Sequence, residues 1–110
     1  MKVEKKGHTT IIKETKGDFN LFLNTISNEI KNFSDQNLIF DVTHDKNVSL
    51  TDLLNFKPLS KNHKKGKKSF VIVANDIDFN DVPQDLSIVP SVLEAQDIIE
   101  MEEIERDLGF

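Results

Sequence analysis

Two short apolar runs are the features that most limit the fold of this sequence. Leu38–Val42 is nearly continuously apolar, and Ser69–Ala74 has five apolar residues after its leading serine. A strand with one solvent-exposed face has alternating apolar and polar residues, whereas a strand that is covered on both faces has a continuous apolar sequence. Leu38–Val42 therefore predicts a strand with both faces covered, as in a parallel sheet, and Ser69–Ala74 is the clearest strand in the chain.

Strand and helix patterns alternate around these two runs. Gly7-His8 separates two short strand patterns and predicts a hairpin turn. Pro58 falls inside the second helical pattern and predicts a kink or break, because proline lacks a donor and crowds the preceding turn. In chain order we predict strands at 2–6 and 9–15, a helix of about four turns after Asp18, a strand at 38–42, a helix from Ser49 to Gly66, a strand at 69–74, an irregular segment at 75–86, a strand at 87–89 and a helix over 92–108.

This order predicts the fold class. We expect one α/β domain over residues 1–110, with a mixed, mostly parallel sheet of about five strands, an N-terminal edge hairpin and about three main helices. The absence of cysteine excludes a disulfide scaffold and a cysteine-based zinc site. No apolar run approaches the ~20 residues that span a bilayer, and the N-terminus lacks an apolar signal region. We expect a soluble cytoplasmic protein with no membrane contact.

Charge is strongly segregated along the chain. Residues 57–68 hold six lysines and no acid, whereas residues 69–110 hold Arg106 against eleven acids. No aromatic residue interleaves the lysines, so base stacking is not available there, and the acidic remainder would repel a polyanion. We therefore interpret residues 61–68 as a solvated turn and expect no nucleic-acid partner.

The sequence offers no clear catalytic or metal-binding set. His8, His44 and His63 are scattered, and no two have the spacing of metal ligands on one element. The acids of residues 76–81 lack the central glycine and terminal glutamate of a calcium loop. We therefore predict no catalytic residue, no metal and no cofactor.

Ser49 and Thr51 stand where a strand-to-helix loop exposes side chains at the carboxyl edge of the predicted sheet. Ser49-Leu50-Thr51-Asp52 resembles a capping box, so helix capping is the simpler interpretation of these hydroxyls. The alternative is a phosphorylation switch, since a phosphate here would favour the helix N-terminus and add negative charge to an interface.

The last helix carries two apolar stripes instead of one. Val92, Ala95, Ile98 and Ile99 form the first stripe, and the second contains the partner-binding candidates Leu93, Met101, Ile104 and Leu108. This second stripe predicts docking of a protein partner, with a homodimer as one form; the alternative is cover by the N-terminal segment or Phe110. The acidic C-terminal half opposes the helix dipole, so we expect other contacts to hold that end.

Two segments and the order of elements resemble the STAS domain, the fold of the anti-sigma-factor antagonists. The segments are Leu38–Val42 followed by Val48–Leu54, and Ser87–Ala95 with its last strand, proline and Glu-Ala helix. The resemblance implies a non-enzymatic, regulatory protein-interaction module. Thr51 matches the hydroxyl that a kinase phosphorylates in that family, but the preceding acid and following glycine are absent. Residues 75–86 replace most of the family's helix between the last two strands.

The ending Ile98–Phe110, together with Lys67–Val73, resembles short bacterial proteins that are often labelled ribonuclease Z. The enzyme of that name is a zinc hydrolase with a His-x-His-x-Asp-His motif, which this sequence lacks. We therefore expect that label not to describe the chemistry of this chain. The alternative functions implied by the resemblance are a protein associated with ribonuclease Z and, less favoured, a nuclease that processes transfer-RNA 3′ ends.

Overall fold

A computed structural model describes residues 1–109 and contains one five-stranded sheet. The strands are β1 (Lys2–Lys6), β2 (Thr9–Lys13), β3 (Asn37–Asp41), β4 (Phe70–Val73) and β5 (Ser87–Val89). They lie side by side in chain order, with β1 antiparallel to β2 and all other neighbours parallel. The predicted fold class, a mostly parallel sheet with an N-terminal edge hairpin, is confirmed.

Strands β3 and β4 are buried along their whole length, as the apolar runs in their sequences predicted. Phe40 of β3 is in register with Ile72 of β4, and both belong to the core on one face of the sheet. Ile39 and Val71 are also paired, and they belong to a separate core on the other face. Successive side chains of a strand point to opposite faces, so β3 and β4 each contribute to both cores.

The larger core lies beneath the helices of the first two crossovers. The helix α1 (Phe19–Glu29) begins at the N-cap Asp18 and continues as a 3-10 turn over Ile30–Phe33. Phenylalanines dominate this core. The ring centroid of Phe40 lies 4.7 Å from that of Phe70, 5.3 Å from that of Phe56 and 6.4 Å from that of Phe22.

The second crossover is broken in the way that its proline predicts. It consists of α2 (Leu50–Leu53), a 3-10 turn over Leu54–Phe56 and α3 (Lys57–Lys65), with Pro58 in the first turn of α3. A proline is tolerated there because a backbone N–H in the first turn has no partner within the helix. The third crossover, predicted to be irregular, contains only one 3-10 turn at Phe79–Asp81 between β4 and β5.

The final helix, α4 (Val92–Asp107), covers the opposite face of the sheet. Its Ala95 and Ile99 are buried against Ile39 and Val71. Strands β1 and β5 have the predicted bounds, and the other three strands differ from theirs by one or two residues. Strand β2, for example, ends at Lys13 instead of residue 15, because the Glu14 side chain turns back to bond the following loop. No helix in residues 1–109 is long and apolar enough to cross a membrane.

Candidate functional site

The outward face of α4 is the most unusual surface in the described chain. Nine positions between residues 92 and 108 are exposed, and all nine are large apolar or acidic. The apolar ones are the four predicted candidates, with exposed fractions of 68% for Leu93, 61% for Met101, 59% for Ile104 and 66% for Leu108. We call these nine residues the α4 face: Leu93, Glu94, Asp97, Glu100, Met101, Ile104, Glu105, Asp107 and Leu108.

The four apolar side chains form one stripe along the helix. At about 100° per residue they fall within a sector of about 80°, and buried Ala95 and Ile99 lie about 160° from its middle. The helix therefore packs on the sheet through one side and presents a second apolar stripe on the other. The N-terminal segment does not bury this stripe, so that alternative is wrong. Phe110, the other predicted cover, lies outside the described residues.

The five acids of the α4 face have no cationic partner among the described residues, where the ion pairs are Lys6 with Glu4 and Lys57 with Asp85. Lys6 lines a groove between the hairpin and α4 together with Glu100. Its Nζ lies 3.8 Å from Oε1 of Glu4. The negative charge of the α4 face therefore remains uncompensated within residues 1–109.

A polar cluster at the amino ends of β3 and β4 holds the C-terminal half of α4. This agrees with our expectation that other contacts hold this end of the helix, where the acids oppose the helix dipole. Buried Asn37 donates from Nδ2 to Glu103 Oε2 at 3.2 Å, and its Oδ1 accepts from the Ser69 backbone N–H at 2.9 Å. Arg106 donates to Ser69 Oγ at 3.2 Å and to Asn37 Oδ1 at 3.4 Å. We call Asn37, Ser69, Glu103 and Arg106 the polar clasp. Arg106, the one arginine in an acidic helix, is the only feature of the sequence that points to the polar clasp.

Ser49 and Thr51 are both exposed. Ser49 Oγ accepts from the Asp52 backbone N–H at 3.2 Å, and Asp52 Oδ2 accepts from the Ser49 N–H at 3.0 Å. This reciprocal pair is a complete capping box, so the structural interpretation of Ser49 is confirmed. Thr51 lies in the first turn of α2, and its hydroxyl makes no hydrogen bond with the rest of residues 1–109. Neither hydroxyl belongs to the α4 face.

The carboxyl edge of the sheet also contains a buried carboxylate that sequence reasoning missed. Glu14 is 2% exposed, and its Oε2 accepts from the backbone N–H groups of Lys16 at 2.7 Å and Asp18 at 3.2 Å. Its Oε1 is buried and has no hydrogen-bond partner in the described structure. Glu14 and Phe22 line an open pocket of about 160 Å³ beside α1. The two backbone bonds show that Glu14 organises the loop leading into α1.

The basic segment differs in two respects from the solvated turn that we predicted. Helix α3 continues to Lys65, so residues 61–65 are helical, and His63 is buried against the sheet instead of being solvated. His63 Nε2 lies 2.7 Å from the Gln36 carbonyl oxygen. A carbonyl only accepts, so Nε2 carries the proton of the neutral ring. The neighbouring Lys61, Lys65 and Lys67 are exposed, as predicted.

Burial of His63 predicts a dependence of stability on pH. Burial lowers the pKa of His63 below its ordinary value of 6.5, opposed by the Gln36 hydrogen bond and assisted by the positive charge of Lys68. As pH falls below 6.5 the unfolded chain takes up this proton first, so the stabilisation by neutral His63 is present above that pH and lost below it.

We therefore expect wild type to lose more unfolding free energy than His63→Gln between about pH 7.5 and about pH 5.5, measured by urea denaturation. Glutamine does not titrate and retains a donor for the Gln36 carbonyl. His44→Gln, at an exposed position, controls for loss of a histidine elsewhere. Equal pH dependence in wild type and His63→Gln would contradict the expectation.

Residues 1–109 contain no group of three or more His, Asp or Glu side chains placed to hold a metal ion. His8 lies in the hairpin turn, His44 in the loop after β3 and His63 on α3. The backbone of His8 and the ring of His63 bond to the neighbouring residues Asn37 and Gln36 at the start of β3, whereas His44 follows the end of that strand. No protein-family model matches the chain, and no curated protein matches it.

Proposed function

We propose that this chain is a non-enzymatic protein-interaction module, and that the α4 face is its binding surface. One observation carries the proposal: four large apolar side chains, each at least 59% exposed, form a stripe opposite the buried side of α4. An exposed apolar patch rimmed by polar groups is typical of a protein-binding surface, because water favours its burial against a partner.

The STAS resemblance gives this proposal a regulatory setting. The observations that support it are the consecutive order of the parallel strands and the edge hairpin. Within that proposal, Thr51 is the better phosphorylation candidate, because it is exposed and the Ser49 hydroxyl is already engaged as a helix cap.

Phosphorylation of Thr51 has a direct test. We expect protein purified from its native host to show an intact mass higher by one phosphate, and Thr51→Ala to remove that species. Ser49→Ala is the matched control, since it removes the other hydroxyl of the same turn. An unmodified mass under every growth condition sampled would remove the phosphorylation switch from the proposal and leave the interaction surface untouched.

The interaction surface is tested by the double variant Met101→Gln, Ile104→Gln. Glutamine keeps the length of methionine and a good helix propensity, so α4 should stay folded while the stripe loses its apolar centre. We expect a cytosolic protein of the native host to co-purify with the wild-type chain and to be lost from this variant. Circular dichroism checks that both chains fold alike.

The matched control is the double variant Val3→Gln, Leu21→Gln. It removes two other exposed apolar side chains, 47% and 46% exposed, from β1 and α1. The co-purifying protein should remain bound to this control. If the two double variants behave alike, or if no protein is retained by wild type, the α4 face is not the binding surface.

A further inference from the structure

We propose that the partner of the α4 face is a cationic amphipathic helix, whose apolar stripe packs on Met101 and its neighbours and whose lysines or arginines meet the flanking acids. This inference rests on the proposed function and adds the chemistry of the partner. Two properties of the α4 face carry it: the spacing of its apolar residues and the sign of its charge.

The apolar spacing suits a helix as the partner element. Met101, Ile104 and Leu108 stand at i, i+3 and i+7, and Leu93 extends the stripe toward the N-terminus. This is the spacing with which one helix packs along another. From Leu93 to Leu108 the stripe covers about 22 Å, or about four turns of a partner helix.

The charge of the α4 face selects a cationic partner. Five of its nine residues are acids, and none is a lysine or arginine. Arg106, the only base in α4, is turned inward to Ser69 and Asn37. Glu105 and Asp107 also stand in the last turn, where the helix dipole is already negative. A positive partner would offset both sources of negative potential.

The same charges disfavour a second copy of this chain. Two α4 faces in contact would oppose five acids to five acids. The basic segment at residues 57–68 would supply opposite charge, but none of its large apolar side chains is exposed to meet the stripe. Anionic phospholipid surfaces and nucleic acids would be repelled. A separate protein that combines positive charge with an apolar stripe satisfies both properties of the α4 face.

The test uses a synthetic amphipathic helical peptide of leucine and lysine, with a leucine and glutamate peptide of the same pattern as its counterpart. Isothermal titration calorimetry with the full chain should show that the lysine peptide binds and that the glutamate peptide does not. Met101→Gln, Ile104→Gln should weaken binding of the lysine peptide at least tenfold. Raising salt from about 0.05 M to about 0.5 M should also weaken it, because salt screens exposed charges.

The charge requirement is tested separately with Glu100→Gln, Glu105→Gln. We expect this variant to bind the lysine peptide several-fold more weakly and with a smaller dependence on salt. Asp35→Asn, Asp76→Asn is the matched control, because it removes the same amount of charge from exposed positions outside α4. If both charge variants weaken binding equally, the lysine peptide responds only to net charge, and the inference fails.

Failure of this inference is distinguishable from failure of the proposed function. A host protein that is lost with Met101→Gln, Ile104→Gln but is unaffected by Glu100→Gln, Glu105→Gln and by salt would keep the interaction surface and overturn the cationic partner. Self-association of the wild-type chain that Met101→Gln, Ile104→Gln abolishes, seen by analytical ultracentrifugation, would assign the face to a second copy and also overturn it. Equal binding of the lysine and glutamate peptides would also overturn the inference of a cationic partner.

Discussion

Replacing Phe40 with alanine is expected to lower the free energy of unfolding by about 4 kcal/mol, the largest effect of any single substitution that we propose. Phe40 is fully buried in β3, and its ring contacts those of Phe22, Phe56 and Phe70. Alanine would leave a cavity surrounded by elements that cannot close on it, because sheet and helices pack there from both sides. A domain of this size is stable by about 5–15 kcal/mol, so the variant should be marginally folded.

Urea denaturation measures this loss, with the slope of the transition checked to be unchanged. Phe40→Leu keeps most of the buried volume, so it should remain folded and lose less stability than alanine. Phe79→Ala is the matched control, because Phe79 is 40% exposed on the crossover between β4 and β5. A similar loss for Phe40→Ala and Phe79→Ala would show that the aromatic cluster does not carry the stability we assign to it.

Replacing Asn37 with alanine is expected to cost about 3 kcal/mol, because it removes the centre of the polar clasp. The buried Ser69 N–H would lose its acceptor, Glu103 would lose its bond to Asn37, and Arg106 would keep only its bond to Ser69 Oγ. An unsatisfied buried donor costs more than the net value of one hydrogen bond. Loss of the clasp should also release the end of α4, so we expect faster amide hydrogen exchange over residues 101–108.

A double-mutant cycle with Arg106→Ala separates the clasp from a general loss of packing. The two residues share Ser69 as a partner, so their effects should be non-additive by about 1 kcal/mol. Asn62→Ala, at an exposed position of α3, controls for loss of an asparagine and should change stability little. Strict additivity, or unchanged exchange at the end of α4, would contradict the role of the clasp.

Much of the candidate site could be predicted from the sequence, because it depends on local periodicity. The two apolar stripes on α4 follow from a spacing of about 100° per residue, and the Ser49 cap follows from a hydroxyl three residues before an acid. The clasp could not be predicted in this way, since Asn37 and Arg106 are 69 residues apart. The lysines around His63 predict a solvated side chain, yet His63 lies on the inward side of α3 and is buried.

The sequence by itself determined which segments form strands and helices, and it determined that β3 and β4 are covered on both faces. Apolar periodicity, helix caps, glycine and proline act over a few residues, so their effects can be predicted without a structure. Only the tertiary structure decided which side of α4 faces the sheet, and therefore that Leu93, Met101, Ile104 and Leu108 face outward. That choice depends on which stripe packs against Ile39 and Val71. It also depends on the clasp between Arg106, Ser69 and Asn37, which only the folded chain brings together.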